Sequence, residues 1–158
     1  MGYLVDGNNV MAQRVGWHRD KQAARRRLLE ELAQFAKVKR ATVTVVFDGA
    51  PLNHFPDGSL FKGVRLFYAE RGSDADARIK RLVETTRERR TLRVVTSDRA
   101  LAAYVSRCGA QTVRSGEFRQ QLEQAAAMLA ARQTDTERQI PDEEIPDWMR
   151  YFGVEEDD

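Results

Sequence analysis

Residues 42–49 read Thr-Val-Thr-Val-Val-Phe-Asp-Gly, a run of β-branched and aromatic residues that ends in an aspartate and a glycine. This composition predicts a buried strand over Thr42–Phe47, followed by a turn at Asp48-Gly49. Shorter runs of the same character recur along the chain. They predict four further strands, at Tyr3–Val5, Val64–Tyr68, Leu92–Thr96 and Gln111–Val113.

The segments between these strands have apolar residues at helical spacing. They predict helices over about Asp20–Lys37, Ser73–Arg89, Arg99–Arg107 and Glu117–Arg132. Gly49–Lys62, with its prolines and glycines, is the exception and is predicted to be a loop. Strands that alternate with helices favour an α/β fold, in which right-handed crossovers build a mostly parallel sheet covered on both faces.

The composition is that of a globular protein, with 158 residues, 42% hydrophobic and 32% charged. A single cysteine, Cys108, excludes an internal disulfide and is typical of a reducing compartment. We find no secretory signal and no apolar stretch of the roughly 20 residues that a membrane helix needs. The expected location is therefore the cytoplasm, with no membrane partner.

Charge is distributed unevenly along the chain. Residues 135–158 contain ten acidic and two basic side chains, whereas residues 1–134 contain 24 basic and 14 acidic ones, a net charge of +10. We therefore predict a domain at residues 1–133 and an acidic appendage at 134–158. A basic body favours a polyanionic partner, although such a surface is also compatible with simple solvation.

Aspartates follow the predicted strands. Asp6, Asp48 and Asp98 come directly after or shortly after the first, second and fourth strands, and the third strand leads to Asp74 and Asp76 at the start of a helix. Each of these residues alone is explained by a turn, by a helix cap at Asp98 or by the helix dipole at Asp74 and Asp76. Together they are expected to converge, because the carboxyl ends of parallel strands lie at one edge of the sheet. This edge is also where ligands bind in such folds.

Converging carboxylates repel one another unless a cation compensates them. All-oxygen ligands favour Mg²⁺ or Mn²⁺, which can activate water and stabilise charge on a phosphodiester. The chain has neither the Gly-rich Lys-Ser/Thr loop of nucleoside-triphosphate enzymes nor a dinucleotide-binding G-x-G-x-x-G, so no dinucleotide cofactor is expected. It also lacks a G-x-S-x-G nucleophile elbow.

Short motifs in this order resemble the YacP-like group of the NYN domains, a branch of the PIN-like nucleases. The motifs are Asp6-Gly7-Asn8-Asn9-Val10, Phe47-Asp48-Gly49, Gly72-Ser73-Asp74-Ala75-Asp76, Val95-Thr96-Ser97-Asp98 and Ser115-Gly116-Glu117-Phe118. The resemblance covers roughly residues 3–130. It implies a three-layer α/β/α sandwich with a five-stranded, mostly parallel sheet, and metal-dependent endoribonuclease activity on RNA, including RNA associated with translation or the ribosome.

The same resemblance implies roles for individual residues. Asp6, Asp76 and Asp98 are the catalytic metal ligands that it predicts, and Asp48 and Asp74 are secondary ligands, acting through water. Asn9 would orient a ligand or phosphate, and Ser97 would hydrogen-bond Asp98 or a phosphate oxygen. The family often has an aromatic residue at the position of Asn8.

Four arginines near these motifs are candidate RNA contacts, since guanidinium groups bind phosphate in a bidentate manner. They are Arg14, Arg71, Arg78 and Arg99. Ordinary surface charge explains any single one equally well. Trp17 is compatible with stacking on an unpaired base, but packing against the neighbouring helix is the more common role for such a residue.

Three functions fit the sequence. The first is a Mg²⁺- or Mn²⁺-dependent endoribonuclease with water as the nucleophile. The second is an RNA-binding adaptor that uses the same basic face without cutting, and the third is a phosphatase or small-nucleotide hydrolase that uses the acidic cluster.

Overall fold

The β-rich run at residues 42–48 is the second strand of a six-stranded sheet in the computed structural model, which describes residues 1–69 and 74–138 and side chains as far as residue 133. The strand order is β3-β4-β2-β1-β5-β6. The strands are β1 Gly2–Asp6, β2 Thr42–Asp48, β3 Leu60–Phe61, β4 Val64–Ala69, β5 Leu92–Val95 and β6 Gln111–Val113. All neighbouring pairs are parallel except β3 with β4.

Helices cover both faces of the sheet, as predicted. They are α1 Gly7–Met11, α2 Lys21–Lys39, α3 Ala75–Thr85, α4 Arg99–Arg107 and α5 Ser115–Arg138, with 3₁₀ turns at Trp17–Arg19 and Arg89–Thr91. One core cluster joins the sheet to α1, α2 and the beginning of α5. The other joins the opposite face to α3 and α4, which gives three layers.

The sheet has six strands rather than the predicted five. The additional strand β3 lies in the predicted loop Gly49–Lys62 and pairs with β4 through Phe61 and Val64. Lys62 and Gly63, which join the two strands, both have positive φ angles, of 48° and 88°. A two-residue turn of this kind suits a hairpin, but a two-residue strand is too short to show alternation in sequence.

A second difference is helix α1, in a segment where the sequence predicts only a turn. Its residues, Gly7-Asn8-Asn9-Val10-Met11, are mostly weak helix formers. Val10 and Met11 are nevertheless buried in the core beside α2. Tertiary packing therefore stabilises this single turn, and it carries the chain away from the end of β1.

The remaining helices differ from prediction only at their ends. Helix α3 ends at Thr85, and the hydroxyl of Thr86 donates to the carbonyl of Leu82 at 2.7 Å. Helix α5 extends beyond the predicted 117–132 in both directions. In residues 1–69 and 74–138, no helix reaches the length and hydrophobicity of a membrane span.

Chain contacts divide the protein into two units, Met1–Ala126 and Ala127–Asp158. The first unit contains the entire sheet, and the described part of the second, residues 127–138, is helical. The predicted appendage at 134–158 lies almost entirely outside the described residues, so its boundary stays a prediction.

The connectivity of the sheet creates a switch point. From β1 the chain proceeds outward through β2 to β4, and it then returns to the other side of β1 to form β5 and β6. In open α/β sheets the crevice at such a reversal, beyond the carboxyl ends of the strands, is the usual place for a ligand. Here that crevice lies between β1 and β5.

Candidate functional site

Side-chain alternation brings the aspartates of β1 and β2 to the same face of the sheet. Leu4 and Val46 belong to the core beneath α3 and α4. Successive side chains in a strand point to opposite faces, so Asp6 and Asp48, two residues further along, lie on that face too. Both therefore face the beginnings of α3 and α4.

Those two helices each begin at an aspartate. The side chain of Asp74 accepts a hydrogen bond from the backbone N–H of Ala77 at 2.8 Å, which caps α3. Asp98 caps α4 in the same way, with the N–H of Leu101 at 3.0 Å. Capping satisfies N–H groups that have no partner within the helix, and it explains locally why both helices start here.

Three of the predicted ligands are electrostatic neighbours at this edge. Asp6 is only 6% exposed, and burial raises its pKa to about 6, with the negative charges of Asp76 and Asp48 adding to the increase. Burial also raises the pKa of Asp76, and the adjacent carboxylate of Asp98 adds to this effect. The pKa of Asp98 is lowered, chiefly by the hydrogen bond from the Leu101 N–H. The fold has thus concentrated negative charge that a cation would offset.

The full predicted ligand set is not assembled around one point. Within residues 1–69 and 74–138, no three histidine, cysteine, aspartate or glutamate side chains form a group ready to hold a metal ion. Asp48 and Asp74 each use one oxygen on α3, where Asp48 accepts from the N–H of Ala75 at 2.9 Å. The donors that approach one another are hard carboxylate oxygens, which suit Mg²⁺ held by one or two carboxylates and water. The five individual assignments stay predictions.

Thr96 connects two of these aspartates. Its hydroxyl donates to Oδ2 of Asp6 at 3.2 Å and accepts from the N–H of Asp98 at 3.1 Å. It is 2% exposed and stands one residue beyond the pairing of Val5 with Val95. Sequence reasoning gave the supporting hydroxyl to Ser97 and missed Thr96, whose signal is its position beside Asp6 in the parallel register.

The side chains of Asn9 and Ser97 hydrogen-bond neighbouring segments at this edge of the sheet. Oδ1 of Asn9 accepts from the N–H of Ser97 at 2.9 Å and from the hydroxyl of Ser115. Oγ of Ser97 accepts from the N–H of Ser115 at 3.1 Å. The side-chain oxygen of Asn8 accepts from the N–H of Asp48 at 3.1 Å. These side chains tie the ends of β1, β2, β5 and α5 to one another.

Arg25 is a supporting residue that sequence reasoning did not identify. It is 8% exposed and donates to the backbone carbonyls of Asp48 and Ala50, the latter at 2.7 Å. Its guanidinium also lies over the ring of Phe47, with a distance of 5.2 Å to the centroid. Burial lowers the pKa of this guanidinium. The contact fixes the turn that follows β2, and only the fold distinguishes Arg25 from the exposed arginines beside it.

The predicted RNA-binding arginines have different surroundings. Arg99 is exposed at the first turn of α4, next to Asp98, as a phosphate contact requires. Arg78 instead forms an ion pair with Asp57 at 3.0 Å and donates to the carbonyl of Tyr68 at 2.9 Å, so its guanidinium already has partners within the fold. Arg71 lies outside the described residues.

Arg14 lies on the other side of the sheet from the carboxylates. Its guanidinium pairs with Glu31 of α2 at 2.5 Å, and Arg119 of α5 pairs with the same carboxylate at 2.8 Å. Any contact of Arg14 with RNA would therefore be at a distance from the aspartates along the bound strand.

NYN and PIN-like domains form a nuclease-like class of protein whose members usually use divalent metals, and aspartates gathered at the switch point of a parallel sheet are compatible with that class. The chain belongs to the YacP-like NYN domain family, whose model matches residues 3–149. The predicted family membership and fold class are thereby confirmed.

Solved structures agree with this assignment. The chain is similar to Rae1 (YacP) from Bacillus subtilis, with a TM-score of 0.73 and 21% identity over 88% of this chain and 83% of that one. The W164L mutant of the same protein also gives a TM-score of 0.73, with 23% identity over 88% of this chain and 85% of that one. No curated protein matches the chain. At this level of identity the likeness establishes the fold.

Proposed function

We propose that this protein is a Mg²⁺- or Mn²⁺-dependent endoribonuclease that uses water to hydrolyse RNA phosphodiester bonds. The observation that carries the proposal is the placement of Asp6, Asp76 and Asp98 as electrostatic neighbours at the crevice between β1 and β5. Carboxylate oxygens are the donors that a hard divalent cation prefers, and Mg²⁺ usually takes one or two of them together with water.

In this proposal Asp6, Asp76 and Asp98 would hold the cation, and Asp48 and Asp74 would contact it through water. When bound, the cation would neutralise charge on the phosphodiester and promote ionisation of the attacking water. Thr96 keeps the carboxylate of Asp6 oriented through its 3.2 Å hydrogen bond. Arg99, exposed beside Asp98, would bind a phosphate of the substrate.

The proposal extends to partners and location. The substrate class is RNA, including mRNA or other RNA engaged in translation, and the ribosome is a candidate partner. We also propose a cytoplasmic location, for which the single cysteine is the support.

The test is cleavage of a mixed pool of long cellular RNAs with Mn²⁺ or with EDTA, comparing wild type with Asp98→Asn. A second pool contains the same RNAs bound to ribosomes. Fragments that need the metal and vanish in Asp98→Asn, in either pool, would support the proposal. Fragments that persist in EDTA or in the mutant would contradict it.

A role in RNA binding without cleavage is the second candidate, because no three of the described carboxylates are grouped as a ready ligand set. RNA binding that EDTA and Asp98→Asn leave unchanged, without fragments in either pool, would favour this adaptor. Turnover of small phosphate esters but not of RNA would instead favour a phosphatase.

A further inference from the structure

A cavity of about 230 Å³ opens on the α2 side of the sheet, away from the carboxylates. Its wall includes four arginines and two acidic residues, so the net charge of the wall is positive. Asp20, one of the two acids, caps α2 through the N–H of Ala23 at 3.0 Å. The other, Glu31, is shared between Arg14 and Arg119. The cavity therefore presents more guanidinium groups than its own carboxylates neutralise.

The shared carboxylate leaves the two arginines incompletely satisfied. The Nε atoms of Arg14 and Arg119 are buried and have no hydrogen-bond partner. Arg119 is 8% exposed and lines the cavity. A buried donor without an acceptor destabilises the fold, and an anion in this cavity would bring acceptor oxygens next to these arginines.

An aromatic ring forms another part of the same wall. Trp17 packs one part of its side chain against the core and remains partly exposed. The ammonium group of Lys21 lies 5.8 Å from the centre of its ring. Val15, fully exposed, stands at the rim of the cavity. An indole beside cationic groups is the combination with which proteins bind unpaired bases and their phosphates.

Helix α1 connects the cavity with the candidate active site. Asp6 stands at its N-terminal end, and Met11 at its C-terminal end lines the cavity. Five residues of helix span about 7.5 Å. Arg119 also donates to the carbonyl of Val10, at 3.4 Å. A strand of nucleic acid at the carboxylates could thus extend along α1 to the cavity.

We propose that this cavity is a subsite for one unpaired nucleotide of the RNA strand, at a distance along the strand from the bond that is cut. The base lies against Trp17, and Arg19 and Arg27, both exposed on the wall, bind the adjoining phosphate. The inference rests on the proposed function for the identity of the strand. It assigns to the chain a site for recognition that is separate from the carboxylates.

The experiment measures binding of a fluorescently labelled 12-nucleotide single-stranded RNA to Asp98→Asn protein at about 150 mM salt, which limits nonspecific attraction. In that background we compare Trp17→Ala, Trp17→Phe and Arg27→Gln. Arg26→Gln is the matched control, since Arg26 is exposed on the same helix next to Arg27 but does not line the cavity.

We expect Trp17→Ala to weaken binding about tenfold, as the loss of one stacked base predicts, and Trp17→Phe to weaken it much less. Arg27→Gln should weaken binding several-fold, and Arg26→Gln less than twofold. RNAs with a single abasic position provide a second measurement that does not depend on the folding of the Trp17 variants. In the Asp98→Asn background, an abasic nucleotide at one position of the RNA should weaken binding about as much as Trp17→Ala does. Trp17→Phe should make this effect of the abasic nucleotide smaller.

Two outcomes would overturn the subsite. In the first, RNA binds but no abasic position matters and Arg27→Gln behaves as Arg26→Gln does, which leaves the proposed nuclease function intact. In the second, a free nucleoside monophosphate displaces the RNA at micromolar concentration, which would make the cavity a mononucleotide site. Absence of any RNA binding, to either the free strand or ribosome-bound RNA, would instead contradict the proposed function itself.

Discussion

Asp6 is a buried acid, and ionisation of its carboxyl group opposes folding. The fold buries its carboxylate beside other acids, and the hydroxyl of Thr96 and the backbone N–H of Asn9 donate hydrogen bonds that stabilise the charge. A pKa raised from 3.8 to about 6 means that Asp6 binds a proton more tightly in the folded protein than in the unfolded chain. Ionised Asp6 therefore lowers the stability of the metal-free protein. This penalty is present above about pH 6 and is relieved as pH falls towards the unfolded value of 3.8.

We accordingly expect Asp6→Asn to be more stable than wild type in EDTA at pH 7.5, by about 1–3 kcal/mol. The difference should shrink as pH falls from 6 to 4. Thermal unfolding across this pH range measures it, with the exposed Glu88→Gln as control. Mg²⁺ should raise the Tm of wild type but not of Asp6→Asn. If Asp6→Asn were less stable than wild type at pH 7.5, this would contradict the conclusion that ionised Asp6 destabilises the fold.

Gly7 is a residue at which the backbone closely approaches a buried side chain. A Cβ built there would lie 2.6 Å from two ring atoms of Phe47 and 3.0 Å from a methyl carbon of Val45. Phe47 is fully buried and cannot move aside. Gly7→Ala should therefore lower the free energy of unfolding by about 1–3 kcal/mol, as overpacking does, and urea denaturation would show it. Gly116→Ala, with only an ordinary contact to Gln13 at 3.4 Å, should change stability little.

At the scale of elements, α3 and α4 bring their own acids to the site. The caps Asp74 and Asp98 start the helices, and the same residues carry charge to the edge of the sheet. A helix N-terminus carries a partial positive charge, which moderates the repulsion between these carboxylates. One short sequence signal thus serves both secondary structure and the site.

Asp98 allows the two roles to be separated. Asparagine caps a helix about as well as aspartate. The free energy of unfolding of Asp98→Asn should therefore lie within about 0.5 kcal/mol of the wild-type value. Asp98→Ala should lose about 1 kcal/mol, because the N–H groups of Ala100 and Leu101 lose their acceptor. Both variants should lose RNA cleavage. Denaturant unfolding and the RNA-pool assay, run on the same samples, check this, and cleavage retained in Asp98→Asn would show that only the cap matters.

At the scale of the whole molecule, opposite charges are segregated along the chain. Residues 135–158 carry a net charge of −8 and residues 1–134 a net charge of +10. Acidic side chains on an otherwise basic protein weaken its attraction for a polyanion, and salt screens this effect. The acidic segment should therefore reduce RNA affinity whatever its conformation.

Neutralising the last four acids tests this idea. The variant Glu155→Gln, Glu156→Gln, Asp157→Asn, Asp158→Asn should bind the 12-nucleotide RNA several-fold more tightly at about 50 mM salt. At about 500 mM salt the difference should vanish. Equal affinity at both salt concentrations would show that these charges do not act on RNA.

The sequence by itself determined the alternation of strands and helices, because each element has its own periodicity and its own caps. The run at 42–48, the aspartate cap of α4 and the parallel arrangement were all predictable in this way. The five predicted strands are all present, and the family motifs led to the correct family.

Only the tertiary structure decided which polar side chains support the site and which already have partners. Thr96 beside Asp6, Arg25 behind Asp48 and the ion pair of Arg78 all join residues at least ten positions apart in the chain. Strand β3 and helix α1 are too short for periodicity and depend on packing. Local preference specifies elements over a few residues, whereas such contacts exist only once the sheet has brought distant segments together.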